Sequence, residues 1–305
     1  MHRLRHTFGS AAVALLVSGA AWGQQITVPN GSFERPATFF VSTLVDFWQE
    51  TPRPGWFQEG GGFSWDQLTG VFRNTQPGAS DHIDNCDGDQ ALYLFAVPEV
   101  GVFQDFASVD WDDPAPSHAF DARFEAGKAY QLSFGVVAGG GNMLEGVTLE
   151  AALYFRNELG QAIPVAATNV VFSKEQFPTR THLTEVVLRT PVIAANDAGE
   201  GRHIGVRFLS TVSAELQGGY WDLDNVRLTA LAVPTLRLSV APAAGGLRLT
   251  WPTSAGKRYQ LNRSADLKVW LPLGQPVAGT GEEAELVVPT AEDGEFFSVV
   301  TVPAD

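Results

Sequence analysis

The stretch GGYWDLDNVRLTAL, residues 218–231, decides how this chain is read. Apolar and polar residues alternate along it, which is the period of a strand with one buried face. That alternation puts Asp222 on the same strand face as Asp224. Other short runs share the texture: QALYLFAV (90–97), AYQLSFGVVA (129–138), VTLEAALYF (147–155), HLTEVVLRT (182–190) and HIGVRFLS (203–210). No segment carries a long helical stripe. Many evenly spaced strands without intervening helices predict an all-β fold, an antiparallel jelly-roll sandwich.

Two stretches break the pattern. Residues 39–80 are long, punctuated by Gly and Pro, and rich in Trp and Phe; residues 108–124 (SVDWDDPAPSHAFDARF) form a second irregular segment. Long irregular stretches in compact domains are commonly functional. After Leu231 the texture changes: AVPTL reads as a linker, and several short strands follow to the C-terminus. Trp251 and Tyr259 there resemble the core aromatics of a small fibronectin type III-like (Ig-like) β-sandwich, read as a spacer or a docking module for a protein partner. The expected organisation is a leader over 1–23, a jelly roll over 24–231 and the small sandwich over 232–305.

The leader is expected from the basic MHRLRH and the short apolar AAVALLVSGAAW, with small residues before Gln24. It predicts export to the periplasm, cell surface or exterior, and no later apolar run is long enough to insert in a membrane. The 305 residues carry a formal net charge of −14, which loss of Arg3 and Arg5 would make more negative. Such a surface repels phosphate backbones, so nucleic acid is not an expected partner. The single cysteine, Cys86, has no partner for an internal disulfide and sits in no nucleophile motif.

NGSFE (30–34), PGW (54–56), DG (87–88), the pattern F-x-A-G-x-x-Y-x-L (124–132) and DLDNVRL (222–228) occur in that order. Together they resemble the galactose-binding-like jelly roll. The nearest types are bacterial carbohydrate-binding modules of the CBM4/9 and CBM22 kind and the secreted HpiC1-like domain. The resemblance covers residues 26–231. It implies that the first and last strands lie side by side and that Glu34 and Asp224 help to hold a structural calcium ion. Carbonyls near Asn30 and Ser32 would add oxygens, and Asp222 is a candidate third carboxylate. Calcium is a hard cation that takes six to eight oxygens, which suits that set. Read from spacing alone, the same acids are exposed strand edges. DHIDNCDGDQ (81–90) is acidic but fails the EF-hand spacing and reads as an Asp-Gly turn.

The resemblance makes a polysaccharide or other glycan the expected ligand. Sugars stack on aromatic rings while amides and carboxylates bond their hydroxyls. The candidates are Trp48, Trp65 and Trp111, with Asp66 and Gln67; Trp56 in the Gly-Trp position is expected in the core. The main expectation is a secreted, non-catalytic carbohydrate-binding or adhesive module. One alternative is a structural surface or matrix protein. Another is an enzyme, a cyclase or hydrolase, because HpiC1-like relatives include calcium-bound cyclases that use an Asp general acid in an apolar pocket. No motif assigns that role to a particular Asp here. The readings differ in what they require: exposed stacking rings for a glycan module, and a closed pocket with one buried, unpaired carboxylate for an enzyme.

Overall fold

The computed structural model describes residues 23–60, 62–110, 113–232, 236–289 and 295–303. Apart from Gly23, the expected leader lies outside them, as does Trp111. Two compact units divide at Val233 and Pro234.

The larger unit begins with β1 (Gln24–Ile26), β2 (Val41–Ser42), β3 (Gln49–Glu50), β4 (Thr69–Arg73), β5 (Gln90–Phe95), β6 (Gly101–Gln104) and β7 (Val109–Asp110). It continues with β8 (Asp113–Pro116), β9 (Lys128–Gly140), β10 (Thr148–Arg156), β11 (Ala162–Val171), β12 (Thr184–Arg189), β13 (Gly205–Ser210) and β14 (Tyr220–Ala232). One sheet runs β12-β9-β14-β5-β4-β2, with β1 also on β14; the facing sheet runs β11-β10-β13-β6-β3. All the pairings are antiparallel. This is the all-β jelly-roll sandwich that the alternating runs predict. The irregular 39–80 stretch is less irregular than its sequence suggests. It contributes two edge strands and β4, each too short to show a period.

β14 is the organising strand. Its first residues pair with β5 (Trp221 opposite Leu94) and its later ones with β1 (Leu228 opposite Ile26), while β9 runs along its other edge. Trp221, Leu223, Val226, Leu228 and Ala230 are buried in the core between the sheets. The step from Leu223 to Val226 is three residues instead of two, and the register shifts there. Asn225, at φ 61°, absorbs the extra residue as a bulge, a conformation that Asn tolerates better than most. The bulge keeps apolar side chains on the core side at both ends of the strand. Asp222 and Asp224 therefore point to the sheet's outer face.

Asn-Gly-Ser-Phe-Glu packs against this bulge. The Val226 amide donates to the Gly31 carbonyl (2.8 Å). A Cβ on Gly31 would stand 2.5 Å from the Val226 carbonyl oxygen, so only glycine allows the approach. Phe33 is fully buried in the core. The Asn30 side chain accepts from the Arg35 amide (3.0 Å) and donates to the Arg35 and Asp46 carbonyls (2.7 and 3.0 Å).

The smaller unit has β15 (Ser239–Ala243), β16 (Gly246–Pro252), β17 (Arg258–Ser264), β18 (Leu271–Ala278), β19 (Glu283–Val288) and β20 (Phe296–Val302). They form two three-stranded sheets, β15-β16-β19 and β18-β17-β20. Leu249, Trp251, Tyr259, Leu261 and Val288 make its core.

Candidate active site

On the outer face of the β14 sheet lies a cavity of about 520 Å³. β4, β5 and β14 supply its floor through Phe72, Tyr93, Phe95, Tyr220 and Asp222, while the 39–67 region supplies Phe40, Val41, Phe63 and Gln67. Strand alternation explains the floor: Val71, Leu92, Leu94, Trp221 and Leu223 face the core, so their neighbours face outward. Phe95 is the hub, with ring centroids 5.6 Å from Phe63, 6.0 Å from Tyr93 and 5.8 Å from Tyr220.

Asp222 sits in this aromatic floor, directly opposite Tyr93 in the β14–β5 register. It is 5% exposed, and its Oδ1 is buried without a hydrogen-bond partner. The nearest cation is Arg180, whose Nη2 stands 4.0 Å from Oδ2. Burial pushes the carboxyl up from 3.8 to about 7, with Arg180 pulling the other way. Tyr93 is pushed up to about 12 by burial and by the Glu50 and Asp66 charges, so it is a neutral hydroxyl at ordinary pH. A buried acid without a partner is costly and is a recurring mark of catalytic sites.

The sequence candidates fall in three places. Trp48 is 4% exposed, packs on Phe33 and Phe208, and donates Nε1–H to the Asn30 carbonyl (3.1 Å). Trp65 is 5% exposed and donates to the Thr51 carbonyl (2.7 Å). Neither offers an open face to a sugar, so the reading of both as stacking platforms is corrected. Their rings have a better use in filling the sandwich core, and their N–H groups are satisfied there. Trp56, expected inside, is instead 47% exposed and donates to Glu99 (2.8 Å). Asp66 is exposed and bonds Ser64; Gln67 accepts from the Ser64 amide (3.0 Å) and lines the cavity.

Glu34 and Asp224 do meet, at the two ends of one turn. Glu34 Oε1 accepts from the Asp89 and Gln90 amides (2.9 and 2.8 Å). Asp224 accepts from the Asp87 and Asn225 amides (both 2.6 Å). Gly88, at φ 116°, lies so close that a Cβ would be 2.5 Å from the Glu34 carboxyl carbon. Burial pushes Asp224 up to about 7 against these two amides, with the charges of Asp87 and Glu34 adding to the rise. The donors here are hard oxygens of the kind calcium takes. Among the described residues, however, no three His, Cys, Asp or Glu side chains are grouped to hold a metal ion, so carbonyls and water would have to complete the set. The Asn30 carbonyl already accepts from Phe33 and Trp48 (both 3.1 Å), and no side-chain bond involves Ser32. Asp222 belongs to the cavity and not to this turn, because the strand carries it one pleat further along. Cys86, beside Asp224, is pushed up to about 12 by burial and by the neighbouring acids, which leaves it a poor nucleophile.

A second concavity of about 460 Å³ is lined by Gln24, Thr27, Asp121, Arg123, Glu125 and Lys128, among others. Its charges are paired with each other, Lys128 with Glu125 at 2.8 Å and Arg123 with Asp121 at 3.8 Å. It holds no orphaned acid among the described residues, and the chemistry points to the aromatic cavity.

The fold agrees with the comparisons. The family model described as HpiC1-like, HpiC1 cyclase, matches residues 24–229, and the chain belongs to that family. Among solved structures, it is similar to the Stig cyclase Fisc from Fischerella sp. TAU in complex with (3Z)-3-(1-methyl-2-pyrrolidinylidene)-3H-indole. That match has a TM-score of 0.50 and 17% identity, over 70% of this chain and 100% of that one. A second structure of a cyclase from Fischerella sp. TAU gives a TM-score of 0.50 at 16% identity, over 70% and 100% of the two chains. A CBM22-1 xylan-binding domain from Paenibacillus barcinonensis Xyn10C aligns at only 0.32 with 13% identity, over 61% and 86%, too loosely to bear on this chain. Among curated proteins none matches.

Sequence reasoning placed Asp222 beside Asp224 as a candidate third metal ligand and did not place it in an aromatic cavity. The available signal was the flanking aromatic composition: Tyr220 next to it in the strand and Tyr93 and Phe95 in QALYLF.

Glu50, near Tyr93, gives a pH test. Burial raises it from 4.5 to about 8, with the Thr69 hydroxyl (3.2 Å) opposing the rise. The unfolded chain loses this proton first, so between those values stability falls as pH rises, and the loss is complete above the folded value. Glu50→Gln is expected to melt like the wild type near pH 4.5 and a few degrees higher near pH 9. Superimposable melting curves at both pH values would count against the shift.

Proposed function

We propose that the larger unit is an enzyme that protonates an aromatic small molecule and thereby drives its cyclisation or rearrangement, with Asp222 as the proton donor. The observation that carries this is the Asp222 carboxyl: buried, without a hydrogen bond at Oδ1, in the aromatic floor of a cavity large enough for a small ligand. In the sequence, the non-catalytic glycan module was the main reading and the cyclase an alternative. The buried tryptophans and the family membership favour the alternative.

The chemistry balances without a co-reactant. The Asp222 carboxylic acid gives its proton to an electron-rich carbon or nitrogen of the substrate. The cation so formed lies against the faces of Phe95, Phe63 and Tyr220, which stabilise positive charge. Formation of the ring-closing or rearranged bond moves the positive charge to another atom of the substrate, and loss of a proton from beside that atom to the Asp222 carboxylate gives a neutral product and restores the acid. Burial keeps a useful fraction of Asp222 protonated near neutral pH, as general-acid catalysis needs.

The ligand held by the Fischerella cyclase contains an indole, which makes indole a reasonable first probe. In deuterated water an acid in this site exchanges the C3 hydrogen of indole: the acid delivers deuterium to C3 and its carboxylate takes up the hydrogen. The expected result is exchange faster than in buffer alone, followed by proton NMR, falling about 10²–10⁴-fold towards background in Asp222→Asn. Equal exchange by the wild type and the variant would overturn the assignment of Asp222.

We propose calcium separately, as a structural brace of the turn between Glu34 and Asp224 and not as part of the chemistry. What supports it is the approach of Glu34 to the buried Asp224 at one turn, where a cation would relieve their repulsion. Calcium is expected to raise the unfolding midpoint over that in EGTA, and Glu34→Gln or Asp224→Asn to remove most of the gain. A wild-type midpoint indifferent to calcium would mean that the amides hold the turn alone.

A further inference from the structure

The aromatic cavity has an ionic feature that protonation of an apolar substrate does not require. Two cations line it, Arg73 and Arg180. Arg73 stands 3.6 Å from Asp89, a partner of its own. Arg180 is held differently. Its Nη2 donates to the Tyr220 hydroxyl (2.6 Å), and its guanidinium carbon lies 5.1 Å from the Tyr220 ring centroid. The nearest carboxylate oxygen, Asp222 Oδ2, is 4.0 Å away, beyond hydrogen-bond reach. The side chain is 46% exposed. Tyr220 thus fixes the position of a guanidinium beside the cavity while using one of its five N–H donors. A planar fork held in this way is suited to a carboxylate, which it can engage through two parallel bonds.

We infer that Arg180 is a specificity residue that takes an anionic group of the substrate, so that the ligand is an aromatic carboxylate, or a molecule of like charge, whose ring lies among Phe63, Phe72 and Phe95. The inference rests on the reading of this cavity as the substrate site. Several observations fit together under it. Tyr220 takes one N–H and one face of the guanidinium and leaves its other donors for a ligand. The Asp222 carboxyl is close enough to act on the same ligand. The other acid lining the cavity, Asp81, is exposed and hydrated, so it opposes an anion weakly. A ligand pinned at one end by Arg180 and stacked at the other presents a fixed atom to Asp222, and such orientation itself lowers the barrier.

The test uses the whole protein and two probes of nearly equal shape, 3-phenylpropionate and 3-phenylpropan-1-ol, with binding measured by titration calorimetry. The wild type is expected to bind the acid about tenfold or more tighter than the alcohol, the scale of one charged hydrogen-bonded pair. Arg180→Gln should bring the acid to the level of the alcohol and leave the alcohol unchanged. Arg180→Lys should keep part of the preference, since it retains the charge without the fork, and it serves as the control if the Gln variant folds poorly. If the alcohol binds and the acid binds no tighter, or if the preference survives in Arg180→Gln, the inference about Arg180 is overturned while the cavity stands as a binding site. If neither probe binds, the reading of the cavity fails and the inference fails with it.

Discussion

The phase of β14 is the constraint on which the rest depends. A strand between two paired neighbours has no freedom to rotate, so its period of two decides which residues meet the core and which meet the outer face. With Trp221 and Leu223 committed to the core, Tyr220, Asp222 and Asp224 must face outward. A bulge at Asn225 then resets the phase so that Val226, Leu228 and Ala230 also face inward. Loss of that bulge would leave one half of the strand with its apolar face in solvent. The NGSFE segment fits against this irregularity, with Gly31 in backbone contact with Val226. The two distant motifs are therefore one device for seating the closing strand.

The outward acids then take different fates from what covers them. Asp224 lies under the Cys86–Gln90 turn and accepts amide hydrogen bonds, which satisfy a buried carboxylate. Asp222, one pleat away, is covered by aromatic rings that leave its Oδ1 without a hydrogen bond. The same strand face thus carries an acid used to hold structure and an acid left with an unsatisfied oxygen. The segment that covers the latter, residues 39–80, looked irregular because it contributes walls to a cavity and has no sheet of its own to build. Its exposed Phe40 and Phe63 follow from the same use.

Much of this was legible in the sequence, and the failures have identifiable causes. Alternation in QALYLFAV, AYQLSFGVVA and GGYWDLDNVRLTAL was enough for the sandwich, because the period of two is a local property. The order of motifs was enough to bring Glu34 and Asp224 to one place. The short edge strands β2 and β3 were not legible, since two residues carry no period. The roles of the tryptophans were not legible either, because burial is decided by partners far away in the chain. Trp48 and Trp65 are drawn inward by carbonyls that accept their N–H groups, while Trp56, expected inside, is left half outside and bonded to Glu99. Asp222 was visible as an outward acid, but its isolation depends on Phe63, Tyr93 and Phe95, which converge only in three dimensions.

The central claim is that the Asp222 carboxyl is buried, with no hydrogen bond at Oδ1 and Arg180 no nearer than 4.0 Å, and is thereby held largely protonated towards neutral pH. Carbon-13 NMR of the protein labelled at Asp carboxyl carbons, with the resonance assigned by its absence in Asp222→Asn, measures this directly. The account predicts that this resonance titrates near pH 7. A titration at the ordinary carboxylate value of about 3.9 would contradict it, since an acid ionised throughout the working range has no proton to give.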